Sequence, residues 1–238
     1  MRPNENGTDM ALRPMLTIII PTLNVAAGLS ETLASINNSH ELPWEIIVVD
    51  GGSVDETRKI ATAANAVVVD APRGRGQQLA AGARAARGDW LLFLHADTRL
   101  AGEWSQAFAS FMADPASTRR AGYLRFALDD EASAARRLEA AVYWRNRMLG
   151  LAYGDQGLLI GRAFYRELGG YRQVPLMEDV NLVRRIGWRR LVMLDAEAVT
   201  SAEKYRREGY RRRVFRNALC LALYALGVPP RLLVSLYR

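Results

Sequence analysis

Short apolar runs recur along the first hundred residues, and each of them stops at a proline or a polar residue. Between the runs, apolar side chains follow helical spacing, as Leu29, Leu33 and Ile36 do. Buried strands that alternate with amphipathic helices are typical of a parallel sheet covered by helices on both faces. We therefore predict an α/β fold. The runs are residues 16–20 (LTIII), 45–49 (EIIVV) and 90–94 (WLLFL).

Polar side chains follow these strands at their carboxyl ends. Because open α/β sheets bind ligands at the carboxyl ends of their strands, we expect a functional site there. The residues concerned are Thr22, Asn24, Asp50, His95 and Asp97.

The rest of the chain carries weaker patterns. We predict strands at 66–69, 122–128, 157–160 and 191–194, and helices at 131–149, 162–168, from Glu178 to Ile186 and in the tail from Tyr205. Ser53 followed by Glu56 predicts a capping box at the start of the helix after the second strand. Residues 1–14 lack the pattern of a signal peptide and are expected to be disordered. We divide the remainder into a domain at 15–202 and a helical tail at 203–238.

Positive charge is concentrated in the tail. The chain has a net charge of +7 and a pI of about 9.9, and residues 204–216 hold seven basic side chains against Glu208 alone. Such a patch suits a nucleic acid or a membrane surface. No aromatic RNA-binding strand or recognition helix accompanies it, which argues against a nucleic-acid partner.

The apolar run that follows Leu219 is too short to span a membrane as a helix. It either lies at a membrane surface, making the contact through 204–236, or forms a helical hairpin packed on the domain or across a homodimer. Cys220 is the only cysteine, so a disulfide framework is excluded and the cytoplasm is the natural compartment.

Four polar or acidic segments follow one another along the chain, namely IIPTLN at 19–24, VVDGGSVDET at 48–57, LFLHADT at 92–98 and the pair Glu178-Asp179. In this order they resemble glycosyltransferase family 2, over roughly residues 16–201. The resemblance implies a GT-A fold, Rossmann-like with a mainly parallel sheet, and transfer of a sugar from a nucleotide-diphosphate sugar to a hydroxyl acceptor. HADT at 95–98 and GDQG at 154–157 further resemble a bacterial subfamily found near radical-SAM and arsenosugar-biosynthesis genes.

The resemblance assigns donor-binding roles. Thr22 and Asn24 would line the nucleoside pocket, and the Asp50 carboxylate would accept a hydrogen bond from a base N–H. Arg75, between Gly74 and Gly76, would face the diphosphate. The alternatives are that Asp50 organises a turn and that Arg75 lies in a solvated loop.

The resemblance also implies a divalent cation, Mn²⁺ or Mg²⁺, bound by Asp97 and the donor diphosphate. The family normally has a carboxylate where His95 stands, and an imidazole suits Mn²⁺ better than Mg²⁺. His95 is either a second metal ligand or a hydrogen-bonded histidine at a strand end.

The resemblance also implies that the acidic pair Glu178-Asp179 supplies the general base. We expect Asp179 to deprotonate the acceptor hydroxyl in an inverting single displacement, with Glu178 as the alternate base. The pair alone would equally suit the start of a helix. Asp155 and Gln156 would lie on the acceptor side, or else in a surface turn.

Two other functions share parts of this pattern. A nucleotidyltransferase has a similar sheet with carboxylates, but a Gly-rich signature near the first strand is absent. A non-catalytic nucleic-acid-binding module would use only the arginine cluster. The acceptor itself is expected to be a small molecule or a lipid-linked one.

Overall fold

The computed structural model describes residues 16–37 and 42–237. The predicted disorder of residues 1–14 lies outside this part of the chain. The described residues contain eight strands: β1 Leu16–Thr22, β2 Trp44–Asp50, β3 Val67–Asp70, β4 Trp90–Phe93, β5 Thr98–Ala101, β6 Ala121–Leu128, β7 Leu158–Gly161 and β8 Leu191–Thr200.

Ten α-helices connect and follow these strands within the same described ranges. They are α1 Ala26–Asn37, α2 Thr57–Ala63, α3 Arg75–Ala85, α4 Trp104–Ala113, α5 Ser133–Leu149, α6 Arg162–Glu167, α7 Glu178–Ile186, α8 Glu203–Glu208, α9 Tyr210–Ala225 and α10 Pro230–Tyr237. Short 3₁₀ turns occupy Pro115–Arg119, Gly154–Gln156 and Trp188–Arg190. Strand β5 and helix α4 are additions to the elements predicted from the sequence.

All eight strands form one sheet in the order β3-β2-β1-β4-β7-β6-β8-β5. The half built from β3, β2, β1 and β4 is parallel, as is the β6–β8 pair. Strand β7 runs antiparallel to both of its neighbours, and β5 runs antiparallel to β8. The predicted α/β fold with a sheet flanked by helices is confirmed, and its parallel character is strongest in the half that contains the first four apolar runs.

The sheet is buried on both faces, which explains the continuous apolar runs. Along β1, Ile18 and Ile20 join the core under α1 and α4, whereas Ile19 joins the core under α3 and α7. Helix α3 lies very close to the sheet at Gly82, where a Cβ atom would stand 2.4 Å from Cγ2 of Ile19. Glycine at this position lets α3 set its N-terminus against the carboxyl ends of the strands.

The carboxyl ends of β1 and β2 are tied together by one side chain from α3. The amide Nε2 of the buried Gln78 donates to the carbonyl oxygens of Thr22, at 2.7 Å, and Val49, at 2.9 Å. Thr22 is the last residue of β1 and Val49 the last but one of β2, and the loops of the predicted site follow them. Gln78 therefore fixes where both loops begin.

The C-terminal tail packs on the domain. Cys220 of α9 and Leu233 of α10 are fully buried, at 0% and 1% exposure. Tyr224 accepts a hydrogen bond from the Asn181 amide of α7, at 3.3 Å. Among the described residues, no helix has both the length and the apolar character needed to cross a bilayer.

Replacing Gln78 by leucine tests the tie between β1 and β2. Gln78→Leu keeps the volume but removes both donated hydrogen bonds, and we expect the free energy of unfolding to fall by about 1–3 kcal/mol. Each carbonyl retains another partner or nearby donor, which limits the cost. Urea denaturation measures the change. Gln77→Leu on the same turn of α3 is the control and should lie within about 0.5 kcal/mol of the parent. Equal stability of the two variants would contradict the role given to Gln78.

Candidate functional site at the carboxyl ends of the strands

The loops after β1 and β2 are fastened to each other by backbone-to-side-chain hydrogen bonds. The Asn24 Oδ1 accepts from the Val54 N–H at 2.9 Å, and Ser53 Oγ accepts from the Asn24 N–H at 2.9 Å. Asn24 adopts a left-handed φ of 52°, which an asparagine tolerates well. The capping box predicted for Ser53 and Glu56 is wrong, because Ser53 is engaged by this loop and Glu56 makes no side-chain cap.

Asp50 is sealed inside this loop pair, with an exposed fraction of 0%. Its Oδ1 accepts from the hydroxyls of Thr22 and Ser53, and its Oδ2 accepts from the N–H groups of Gly52 and Ser53 and from Arg58. Burial alone would raise the pKa of Asp50, but the hydrogen bonds from Ser53, Gly52 and Thr22 lower it overall.

Asp50 is thus saturated by donors of its own loops, and its contact with a nucleobase stays a prediction. Both carboxylate oxygens already have protein donors, and Thr22 beside it is also buried. The alternative interpretation, a carboxylate that organises the turn after β2, describes the arrangement. Asn24 remains exposed and lines a cavity of about 380 Å³ together with Asp97 and Lys204.

Six of the predicted residues meet around a second cavity of about 130 Å³, which we call the central cavity. Its charged lining consists of four carboxylates and three cations. These are Asp97, Asp155, Glu178 and Asp179, and Arg75, Lys204 and Arg213. His95 lies among them.

Of the adjacent acids at the start of α7, one is buried and one faces the cavity. Glu178 is 2% exposed, and its Oε1 lies 3.4 Å from Nη1 of Arg75. Burial and the neighbouring Asp179 charge raise the pKa of Glu178. Asp179 is half-buried, and its Oδ2 accepts the Gly154 N–H at 3.0 Å. Asp179 is therefore the better placed of the two to meet a ligand.

Asp97 sits beneath the C-terminal tail. Lys204 Nζ of α8 lies 3.0 Å from Asp97 Oδ2, and the Ser201 N–H donates to the Asp97 carbonyl at 3.0 Å. Burial would raise the pKa of Asp97, but the Lys204 charge lowers it overall. The carboxylate is thus held ionised by a cation from outside the predicted domain.

His95 presents an unpartnered nitrogen. Its Nε2 is buried and makes no hydrogen bond with the described residues. Burial, followed by the Arg75 charge, lowers the pKa of His95 to about 3, so the imidazole is neutral. A neutral imidazole is a metal ligand. Within the described ranges, however, no group of three or more His, Cys, Asp or Glu residues is arranged to hold a metal.

Asp155 and Gln156 lie in different environments. Gln156 is fully buried and bonds the Leu124 carbonyl, the Tyr153 N–H and Arg145, and its place on the acceptor side stays a prediction. Asp155 lines the central cavity, and its Oδ1 is buried without a partner. Burial raises the pKa of Asp155 to about 6, with Arg145 opposing and Asp179 reinforcing the effect.

Comparison with known proteins places this site in a family. The model of the family Glycosyl transferase family 2 matches residues 17–156, more than half of the chain. The chain belongs to glycosyl transferase family 2. The matched segment carries Arg75, His95, Asp97 and Asp155, whereas Glu178, Asp179 and the tail residues lie beyond it.

Curated relatives match a limited part of the chain. Proteins named PGL/p-HBAD biosynthesis glycosyltransferase, from Mycobacterium bovis (strain BCG / Pasteur 1173P2) and Mycobacterium tuberculosis (strain ATCC 25177 / H37Ra), are 43% identical to it over 94 residues. That stretch covers 37% of this chain and 37% of each relative, so the match spans just over a third of their length.

Solved structures share the fold at low identity. Glucosyl-3-phosphoglycerate synthase from Mycobacterium tuberculosis, in complex with Mn²⁺, UDP and glucosyl-3-phosphoglycerate, aligns with a TM-score of 0.60 and 19% identity, over 91% of this chain and 81% of that one. The mannosyltransferase PcManGT from Pyrobaculum calidifontis, in complex with GDP-Man and Mn²⁺, gives 0.61 and 20%, over 92% and 64%. The GT-A type of fold expected from the sequence is confirmed.

The sequence analysis missed the part of the site that comes from the tail. Besides Lys204 and Arg213, the central cavity is lined by Tyr205, Asn217 and Tyr237. The arginine cluster is also less free than its sequence suggests, because Glu208 pairs with Arg213 at 2.9 Å and with Arg216. An asparagine within an apolar helix, as at 217, was the available signal for an inward-facing site residue.

The raised pKa of Asp155 predicts a pH-dependent loss of stability. Because the folded protein binds the Asp155 proton more tightly than the unfolded chain, this group stabilises the fold below about pH 4, and the stability is lost as the pH rises to about 6. Relative to Asp155→Asn, the parent should lose up to about 3 kcal/mol across that window.

Urea denaturation of both proteins at several pH values measures this difference. Glu178, whose pKa is also raised, is present in both proteins and cancels in the comparison. Parallel pH profiles of the parent and Asp155→Asn would show that Asp155 titrates as it does in the unfolded chain.

Proposed function

We propose that the chain transfers a sugar from a nucleotide-diphosphate sugar to a hydroxyl acceptor, with inversion in a single displacement. The observation that carries the proposal is the central cavity, whose lining brings Asp97, Arg75 and Lys204 together with Asp179. The solved structures with this fold were determined with UDP, GDP-Man and UDP-GlcNAc, which supports a nucleotide-sugar donor.

Charge in the central cavity argues for a cation alongside the donor. Its three cations already face four carboxylates, so the negative phosphates of a donor would enter a lining that is not net positive. Asp97 and the unpartnered His95 Nε2, together with phosphate oxygens, form a donor set that fits Mn²⁺, and two structural neighbours contain Mn²⁺. The bound ion would neutralise charge on the leaving diphosphate.

Lys204 has a further part in this scheme. It holds Asp97 Oδ2 at 3.0 Å in the free protein and lines both the central cavity and the neighbouring one with Asn24. With a divalent cation at Asp97, Lys204 would be available to pair with a phosphate oxygen of the donor. Arg75, 44% exposed and anchored by Glu178, supplies a second donor to the diphosphate.

Asp179 is the proposed general base. It takes the acceptor proton as the acceptor oxygen attacks the anomeric carbon, the bond from that carbon to the phosphate oxygen breaks, and the nucleoside diphosphate leaves. The Gly154 N–H holds Asp179 Oδ2 at 3.0 Å and fixes its orientation. Glu178 is less suited to this role because it is buried and paired with Arg75.

Asp155 is the competing base. Its unpartnered Oδ1 and its pKa of about 6 are properties of a group that exchanges protons near neutral pH. It lies on the same cavity as Asp179, and the Asp179 charge raises the cost of ionising Asp155. If Asp179 is the base, Asp179→Asn loses turnover, and if Asp155 is the base, Asp155→Asn loses it.

The tail also presents an exposed apolar face that suits a membrane surface. Phe215, Leu226 and Leu232 are 70%, 82% and 66% exposed, and Arg211 and Arg212 are exposed beside them. Apolar side chains flanked by arginines match an anionic lipid surface. We propose that this face provides the peripheral contact through 204–236, at the inner face of the cytoplasmic membrane. The link to the subfamily near radical-SAM and arsenosugar-biosynthesis genes stays a prediction.

Hydrolysis of a nucleotide sugar, with water in place of the acceptor, tests the proposal without knowledge of the acceptor. UDP-glucose, UDP-GlcNAc and GDP-mannose are supplied with Mn²⁺, and release of the nucleoside diphosphate is measured. If Asp179 is the base, Asp179→Asn should lower kcat by roughly 10²–10⁴-fold and leave the donor KM unchanged.

Glu178→Gln and Asp155→Asn are the matched comparisons. If kcat falls in Asp155→Asn and is unchanged in Asp179→Asn, the general base is Asp155. If kcat falls in Glu178→Gln instead, the base is Glu178. Absence of donor binding and of turnover with all three nucleotide sugars would count against a glycosyltransferase of this donor class.

A further inference from the structure

A second groove opens between α5 and α9, next to the central cavity. It has a volume of about 180 Å³, and we call it the side groove. Its walls are largely apolar and come from both helices. They include Leu138, Ala141 and Val142 of α5, and Val214, Ala218 and Leu221 of α9.

The side groove and the central cavity share part of their lining. Four residues line both spaces, namely Tyr153, Asp155, Tyr205 and Asn217. The two spaces therefore share a polar junction, which includes the candidate base Asp155. A ligand seated in the side groove would have one end at this junction.

The junction contains unsatisfied hydrogen-bond acceptors. Asp155 Oδ1 and Asn217 Oδ1 are both buried, and neither has a hydrogen-bond partner among the described residues. Buried polar atoms without a partner cost free energy, and a hydroxyl group of a ligand would satisfy them. Arg145, the cationic residue of the groove lining, is already occupied, since it covers the Tyr153 ring at 3.7 Å and donates to the Leu151 carbonyl at 3.0 Å.

The distribution of polarity selects the ligand. Hydroxyl-binding atoms lie at the junction, and the walls beyond it offer apolar side chains. A fully polar sugar would leave its outer hydroxyl groups unpaired against Val214 and Leu221. An amphiphile would bury its apolar part there and gain roughly fourfold in affinity for each buried methylene.

We propose that the side groove is the acceptor subsite, and that it takes an alcohol whose hydroxyl end reaches Asp155 and Asn217 while its apolar part lies between α5 and α9. The inference rests on the proposed function, because it treats the ligand as the acceptor of that reaction. It places the apolar part of the acceptor inside the fold, apart from the exposed face of Phe215, Leu226 and Leu232.

The test compares methyl and octyl β-glucoside, which share a head group and differ only in the alkyl chain. Binding to the full chain is measured by calorimetry below the micelle concentration. Because the groove buries part of the chain, octyl β-glucoside should bind at least about tenfold more tightly than methyl β-glucoside. Ala218→Phe and Ala141→Phe fill the groove from its two walls and should abolish this preference.

Two matched variants control for the substitutions. Ala222→Phe on α9 and Ala140→Phe on α5 place the same ring on exposed positions outside the groove lining, and both should keep the tenfold preference. UDP and GDP binding with Mn²⁺ should be equal in all four variants. A preference that survives in both groove variants would place the chain elsewhere and overturn the proposal.

The outcomes separate the subsite from the function on which it rests. Equal affinity for the two glucosides, with UDP or GDP still bound and donor hydrolysis intact, would refute the subsite and leave the glycosyltransferase proposal standing. A chain preference that is lost in Ala218→Phe, in a protein that binds and turns over no nucleotide sugar, would refute the glycosyltransferase proposal and with it the acceptor role of the groove.

Discussion

The central cavity depends on the balance between its buried carboxylates and the cations that face them. Lys204 pairs with Asp97 and lowers its pKa, whereas Asp155 forms no ion pair with the described residues and its pKa rises to about 6. Taking a charge out of water is costly unless an opposite charge or hydrogen bonds accompany it. The cavity can therefore accommodate a further cation, and the negative phosphates of a donor would make that cation more favourable.

The cations and carboxylates reach the cavity from distant parts of the sequence. The sheet supplies the loops after β1, β2 and β4, with Gln78 setting the ends of the first two strands. The tail then closes the site with Lys204 and the inner face of α9, whose outer face remains exposed. One helix thus separates a polar site from an apolar surface. A site that depends on the tail would not be complete in a chain ended at residue 202, the predicted domain boundary.

The positions of the strands and of the loops that follow them could be predicted from the sequence, because burial on both sheet faces leaves continuous apolar runs. The direction of individual side chains could not. Asp50 and Asp97 both follow buried strands, yet Asp50 turns inward to donors of its own loop and Asp97 faces the cavity. The local sequence also does not predict that Lys204 and Asn217 line the site, because their positions depend on how the tail packs against α7.

The central claim is that a nucleoside diphosphate binds in the central cavity together with a divalent cation at Asp97. Calorimetric titration of UDP and GDP, with Mn²⁺ and after its complete chelation, tests it most directly. At least one nucleotide should bind the parent at least about tenfold more tightly with Mn²⁺, a difference of ~1.4 kcal/mol, and Asp97→Asn should lose that gain. Equal affinity with and without Mn²⁺ in the parent would contradict the account and leave Arg75 and Lys204 as the groups that neutralise the diphosphate.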